Sequence, residues 1–196
     1  MTLVGREYHL QTLQAAASHA ADGRGGCVEL IGPAGAGKSS VIEAFREWAS
    51  THGFRVAVSA VTEWECEFPW ATFTALMAPF VQHLSPTSDP DDAVLTELVL
   101  RGENSDSIDP FRMALAALRS LSAAADVQPL VLIIDDLHWA DDSSLEALAL
   151  LSRRISNERI VVVTARREAA SDFRAWGVSL PVEPLSEQQI DELLRP

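Results

Sequence analysis

The stretch Gly32-Pro-Ala-Gly-Ala-Gly-Lys-Ser-Ser40 contains the one lysine of a 196-residue chain whose other fourteen basic side chains are all arginine. Glycines at 32, 35 and 37 let the backbone turn tightly and aim successive N–H groups at one point, which suits a cluster of phosphate oxygens. The Gly32-x-x-x-x-Gly37-Lys38-Ser39 spacing is that of a phosphate-binding loop. Position 38 calls for an ammonium, a compact point charge able to reach the β- and γ-phosphates. The planar fork of an arginine is too bulky for so enclosed a loop. The Ser39 hydroxyl is placed to ligate Mg²⁺. With Pro33, Ala34, Ala36 and Ser40 completing the cradle, the expected ligand is ATP or ADP with Mg²⁺.

A second group of candidates lies in Pro129-Leu-Val-Leu-Ile-Ile-Asp-Asp-Leu-His-Trp-Ala-Asp-Asp-Ser-Ser144. An apolar strand ending in carboxylates is what a phosphate cradle needs beside it. Asp135, at the strand end, is the expected Mg²⁺ ligand, directly or through water. Asp136 is the candidate to orient or deprotonate an attacking water, the alternative being a hydrogen bond to a neighbouring loop or helix end. His138 reads as a cap for its loop, Trp139 as a buried anchor, and Asp141 as a helix N-cap rather than a metal ligand. In Arg159-Ile-Val-Val-Val-Thr-Ala-Arg-Arg-Glu168, a further buried strand points Thr164 and Arg166 towards the γ-phosphate. Arg166 either senses that phosphate or sits, as Arg167 is expected to, on a solvated helix start.

These residues need rigid elements beneath them. Runs of strand length alternate with helical patterns, as in a parallel α/β sheet. The expected strands are Cys27–Ile31, Arg55–Val61, Leu130–Ile134, Ile160–Thr164 and, with a weaker pattern, Val178–Val182. Leu130–Ile134 and Ile160–Val163 are continuously apolar, as strands covered on both faces are. Apolar stripes at helical spacing run through Val41, Ile42, Phe45 and Trp48, through Phe73, Leu76, Met77, Phe80 and Leu84, through Phe111, Leu115, Leu118 and Leu121, and through Leu145, Leu148, Leu151 and Ile155. Helices are expected from about Glu7 and Lys38, near 93–100, and at 143–156. The last is capped by Asp141 or Asp142, with Ser143 and Glu146 at capping-box spacing. Ser85–Asp92 and Gly102–Pro110 read as surface loops.

The net charge of −13 argues against a broad basic surface for nucleic acid, and direct nucleic-acid binding by this segment is not expected. Cys27 and Cys66 have neither metal-ligand spacing nor a disulfide framework, and no apolar run approaches a membrane span. A cytoplasmic domain is expected.

Leu3-Val-Gly-Arg-Glu7, Gly32–Ser40, Val131-Leu-Ile-Ile-Asp-Asp-Leu-His-Trp-Ala-Asp-Asp-Ser-Ser-Leu-Glu-Ala-Leu148 and Val161-Val-Val-Thr-Ala-Arg-Arg-Glu168 together resemble the nucleotide-binding domain of STAND ATPases, a branch related to the AAA+ proteins. The chain looks most like the ATP-binding domain of large LuxR-type bacterial transcriptional regulators. The resemblance implies a three-layer α/β P-loop NTPase fold with a five-stranded parallel sheet in the order 5-1-4-3-2. It also implies that Val4, Gly5 and Arg6 lie against adenine and ribose. It divides the chain into a nucleotide-binding domain at 1–184 and the start of a helical lid at 185–196. Members of that family are molecular switches that self-associate in the ATP state and work with further domains of a longer chain. A chain stopping at Pro196, before the lid, sensor and DNA-reading parts, is expected to be an excised fragment or a short relative. The family's AAA+ cousins end the acidic strand in Asp-Glu. The shorter Asp136 implies slow ATP hydrolysis, with a working AAA+ ATPase or a degenerate P-loop interaction module as the alternatives.

Overall fold

A computed structural model describes residues 4–83, 89–102, 108–167 and 176–193. Five strands form one sheet: β1 (Gly26–Ile31), β2 (Arg55–Ala60), β3 (Leu130–Asp135), β4 (Ile160–Arg166) and β5 (Val178–Pro181). All paired neighbours are parallel, in the order β2-β3-β4-β1-β5. This is the expected 5-1-4-3-2 sheet read from the other edge. The two continuously apolar runs became β3 and β4, two of the three interior strands, buried along nearly all of their lengths. The weaker pattern at 178–182 became the edge strand β5, which mostly faces solvent, and β2 forms the other edge. Burial on both faces selects continuous hydrophobicity, so the central positions could be read from composition alone.

Helices α1 (Glu7–Ala21) and α2 (Lys38–Thr51) cover one face. There Leu13, Ala17, Val41, Ile42 and Phe45 pack on Val28, Leu30, Val131, Ile133, Val161 and Val163. The other face carries α3 (Ala71–Met77), α4 (Pro90–Arg101), α5 (Pro110–Val127) and α6 (Asp142–Ser152), over Leu132, Ile134 and Val162. The third layer is therefore complete among the described residues. A last helix, α7 (Glu187–Leu193), follows β5. Ser186 and Gln189 cap it reciprocally, the Ser186 N–H reaching the Gln189 side chain at 2.9 Å and the Gln189 N–H reaching Ser186 Oγ at 3.4 Å. No described helix is long and apolar enough to cross a membrane. Cys27 sits in the core, where burial pushes its thiol up to about 12, and Cys66 is exposed.

Several local expectations are corrected. The α5 stripe is displaced: Phe111 is 44% exposed with Arg154 over its ring, and Leu115 and Leu118 are only half-buried. Leu121 faces inward as expected, joined by Met113, Ala116, Ala117 and Ala124. An alanine face lets α5 lie close between the sheet and α6, which leaves the larger leucines to fill the margins. Leu84, Ser85–Ser88 and 103–107 lie outside the described residues, while the end of the first expected loop, Asp89–Asp92, caps and begins α4. Helix α6 stops at Ser152, and Ile155 belongs to a separate short 3-10 turn.

Ser143 and Glu146 form no capping box, because Asp141 takes the N-cap and accepts from the Ser144 N–H at 2.9 Å. The same buried carboxylate accepts from the N–H groups of Trp70 at 2.7 Å and Thr72 at 3.3 Å, at the left-handed turn into α3. Asp141→Ala therefore strands donors on two helices. It is expected to lower stability by about 3 kcal/mol in urea unfolding, whereas a change within 0.5 kcal/mol, in order of magnitude the figure for a plain surface site, would contradict this double cap.

Candidate functional site

The site lies beyond the carboxyl ends of β1, β3 and β4, where the glycine loop leaves β1 and enters α2. At Gly32 the chain passes so near β5 that a Cβ would stand 2.1 Å from the Val182 carbonyl oxygen. Only glycine fits there. Gly35 and Gly37 adopt left-handed φ of +76° and +89°, a region that L side chains rarely enter. Gly37 is the N-cap of α2 and supplies no side-chain acceptor, so the first amides of the helix have no partner within it. Those orphaned donors, with the positive end of the helix dipole, face a cavity of about 360 Å³ lined by Ala34, Gly35, Gly37, Lys38, Ser39, Ser40, Asp136 and Arg167.

Lys38 is buried and donates from Nζ to the carbonyls of Gly32 and Pro33, each at 2.9 Å. Burial lowers its pKa, the Asp136 and Asp135 carboxylates oppose that shift, and Arg167 reinforces it. Both acidic residues therefore act electrostatically on the lysine. Asp135 ends β3, and its Oδ1 accepts the Asp136 N–H at 2.9 Å. Asp136 follows in a left-handed conformation, φ +54°, which turns its half-exposed side chain into the cavity wall.

A second cavity, of about 490 Å³, begins at the start of the glycine loop and is lined by Ile31, Gly32, Pro33, Arg166, Val182, Glu183 and Pro184 among others. Between the two regions runs Arg6. It is buried and donates from Nη2 to the carbonyls of Ala36 and Glu183, tying the N-terminal turn to the cradle and to the chain after β5. Val4 is buried beside it. Gly5, at φ +67°, lies against Gln189 of α7.

The two arginines exchange places relative to expectation. Arg166 does not join the phosphate-loop cavity; it donates to the buried Glu29 carboxylate of β1, Nε to Oε1 at 2.9 Å. Arg167, expected on a solvated helix start, lines that cavity and lies over the Trp139 ring, 5.8 Å from its centroid. Alternation along β4 explains the exchange. Thr164 and Arg166 share a face with Glu29, their β1 neighbour, whereas residue 167 lies past the last strand residue and is free to turn over the loop. The signal was in Cys27-Val-Glu-Leu-Ile31: a glutamate in the middle of a buried strand demands a cation.

His138 also departs from expectation. Its side chain is 8% exposed, yet neither ring nitrogen has a hydrogen-bond partner among the described residues, so it caps none of them. A buried polar group left so costs roughly 1–3 kcal/mol. Burial lowers its pKa below the ordinary value of 6.5, with Asp136 opposing and Arg167 and Lys38 reinforcing. Trp139 is half-buried and packs on His138 at 4.9 Å between centroids, leaving Leu137 as the fully buried anchor of this turn.

A strand–glycine loop–helix cradle beside an aspartate-ended strand of a parallel sheet defines a P-loop nucleotide-binding fold. Residues 2–163 match the family model of the AAA ATPase domain, and the chain belongs to that family. None of the curated proteins matches it. Among solved structures it is similar to the Aeropyrum pernix ORC1 protein in complex with DNA (TM-score 0.61, 18% identity, covering 98% of this chain and 49% of that one). It is also similar to Drosophila ORC bound to DNA (TM-score 0.52, 20% identity, 97% and 45%) and to C. elegans PCH-2 (TM-score 0.50, 11% identity, 95% and 45%). At such identities the likeness is one of fold, and the chain spans about half the length of these structures. Two of the three hold DNA, so the comparisons lend no support to the expectation that this segment makes no nucleic-acid contact.

Two measurements probe this geometry. Arg166→Ala leaves Glu29 buried and is expected to cost roughly 3–5 kcal/mol in urea unfolding, while Arg167→Ala changes stability by no more than about 0.5 kcal/mol; the reverse ranking would contradict the exchanged places. In the nucleotide-free protein, the His138 ring is expected to titrate below 6.5 by NMR. Because the folded-state value lies below the unfolded one, this residue's contribution to stability falls as pH drops through the unfolded-state value.

Proposed function

We propose that this chain binds ATP and ADP with Mg²⁺ at the Gly32–Ser40 cradle and acts as a nucleotide-dependent switch that hydrolyses ATP slowly. The observation that carries it is the uncapped start of α2 at Gly37, whose amides open on the cavity shared by Lys38, Ser39, Asp136 and Arg167. Lys38 exchanges its two carbonyl acceptors for phosphate oxygens. Ser39 and Asp135 hold Mg²⁺, which neutralises phosphate charge when bound. Asp136 orients or deprotonates the attacking water, and its short side chain is the reason for slow turnover. Arg167 supplies the cation facing the terminal phosphate, while Arg166, paired with Glu29, holds the end of β4 beside the second cavity. Val4, Gly5 and Arg6 take the adenine side, where Pro33, Val182 and Pro184 offer apolar surface.

In this reading residues 1–184 are the nucleotide-binding domain and 185–196 begin a helical lid. The Leu-His-Trp-Ala-Asp segment after the acidic strand supports a switch domain of a LuxR-type STAND regulator, working with other domains and self-associating in the ATP state. Membership of the AAA ATPase domain family, with a fold like ORC1 and PCH-2, supports equally a working AAA+ ATPase such as a loader or remodeller. Fast hydrolysis that rises with protein concentration and disappears in Asp136→Asn would favour the second. Anisotropy titration against duplex DNA reports whether contact with nucleic acid belongs to this segment.

Thermal shift and calorimetry test the common core of both readings. Mg-ATP and ADP are expected to raise Tm with Kd between nanomolar and micromolar, to lose that effect in Lys38→Ala, and to lose the Mg²⁺ dependence in Asp135→Ala. No shift with either nucleotide, and no nucleotide released on denaturing the purified protein, would sink both.

A further inference from the structure

His138 is enclosed, and the fold makes no use of its polarity. Leu137, wholly buried, anchors the 3-10 turn Leu137–Trp139. The imidazole packs against Trp139 at 4.9 Å, and Trp139 in turn lies beneath the Arg167 guanidinium. The side chain is 8% exposed, and both Nδ1 and Nε2 are buried without a partner among the described residues. An apolar ring would pack there at lower cost. The nearest acceptor of opposite charge is the Asp136 carboxylate, whose Oδ1 stands 3.8 Å from Nδ1. That gap is about 0.6 Å beyond the usual range for an N–H···O hydrogen bond. Asp136 is itself held in a left-handed backbone conformation, with its side chain half-exposed along the cavity. Among the described residues, no hydrogen bond at normal distance restrains its carboxylate.

We infer that His138 is a positioning residue for Asp136: with nucleotide in the cradle, the Nδ1–H donates to one carboxylate oxygen and leaves the other aimed at the attacking water. The inference rests on the nucleotide-site reading and deepens it. An aspartate is one methylene shorter than a glutamate and must be held in a single rotamer to reach a water. A donor already stripped of solvent supplies that restraint with little further desolvation. A neutral imidazole carries one N–H, and a carboxylate partner selects the Nδ1–H tautomer. Trp139 closes one side of the ring and limits its freedom to swing away.

The test uses His138→Phe and His138→Asn in the full chain, each alone and combined with Asp136→Asn. Nucleotide Kd, Tm and the single-turnover rate of Mg-ATP cleavage are measured for each. His138→Phe is expected to keep Kd within about twofold and Tm at or above wild type, and to slow cleavage by about tenfold or more. His138→Asn, whose amide can donate from nearly the same point, is expected to recover much of that rate. In the Asp136→Asn background the Phe substitution is expected to have little further effect, since the two side chains act as one unit. Cleavage by His138→Phe at the wild-type rate, an undiminished effect without Asp136, or no rescue by Asn would each overturn the inference. So would a wild type that binds nucleotide but never cleaves it, leaving the nucleotide site intact. A wild type that binds none overturns both.

Discussion

Arg6, Ala36 and Glu183 come from three distant parts of the chain, and one guanidinium joins them by donating to two carbonyls. The same junction includes the approach of Gly32 to the Val182 carbonyl, where even a methyl group would collide. Together these contacts hold the exits of β1 and β5 at a fixed separation and tie the glycine loop to the N-terminal turn. The direction of α2, and with it the line along which its unpaired amides and Lys38 point, follows from that junction. A charged bracket that grips main-chain oxygens is insensitive to the side chains around it, so the loop can keep glycine and alanine where bulk would close the cavity.

Beneath the cavity lies an unusual amount of buried polarity for so apolar a sheet. Glu29 and Arg166 pair across β1 and β4, Thr164 keeps a buried hydroxyl without a partner among the described residues, and Asp141 satisfies donors on α3 and α6. Removing one partner of a buried pair costs more than the pair contributes, because the survivor is left charged in a poor solvent. Such groups fix registers rather than add stability. Glu29 and Arg166 lock β1 against β4, and this sets the height of the glycine loop relative to Asp135 across the intervening strand.

The strands were legible to within two residues at either end because hydrophobic continuity and burial are the same physical fact seen twice, whereas their order in the sheet came from the family resemblance. The cradle was equally legible: left-handed glycines, an uncapped helix start and a lone lysine are local requirements, each written within nine residues. What escaped was long-range. Nothing near Asp141 announces the Trp70 and Thr72 amides, since 71 and 69 positions separate the partners. Choosing between Arg166 and Arg167 required knowing where β4 ends, because a shift of one residue reverses the face to which a strand side chain points. The α5 face was misplaced because leucines were weighed above alanines, although small residues decide how near a helix can approach a sheet.

Lys38 already has two acceptors, the Gly32 and Pro33 carbonyls at 2.9 Å. In the nucleotide reading proposed above, these carbonyls stand in for the phosphate oxygens, and ligand entry is a displacement rather than the filling of a vacancy. Apparent affinity then reflects a competition within the loop. A change that merely weakened those two carbonyl contacts would tighten the hold on an incoming anion without touching any group that meets it.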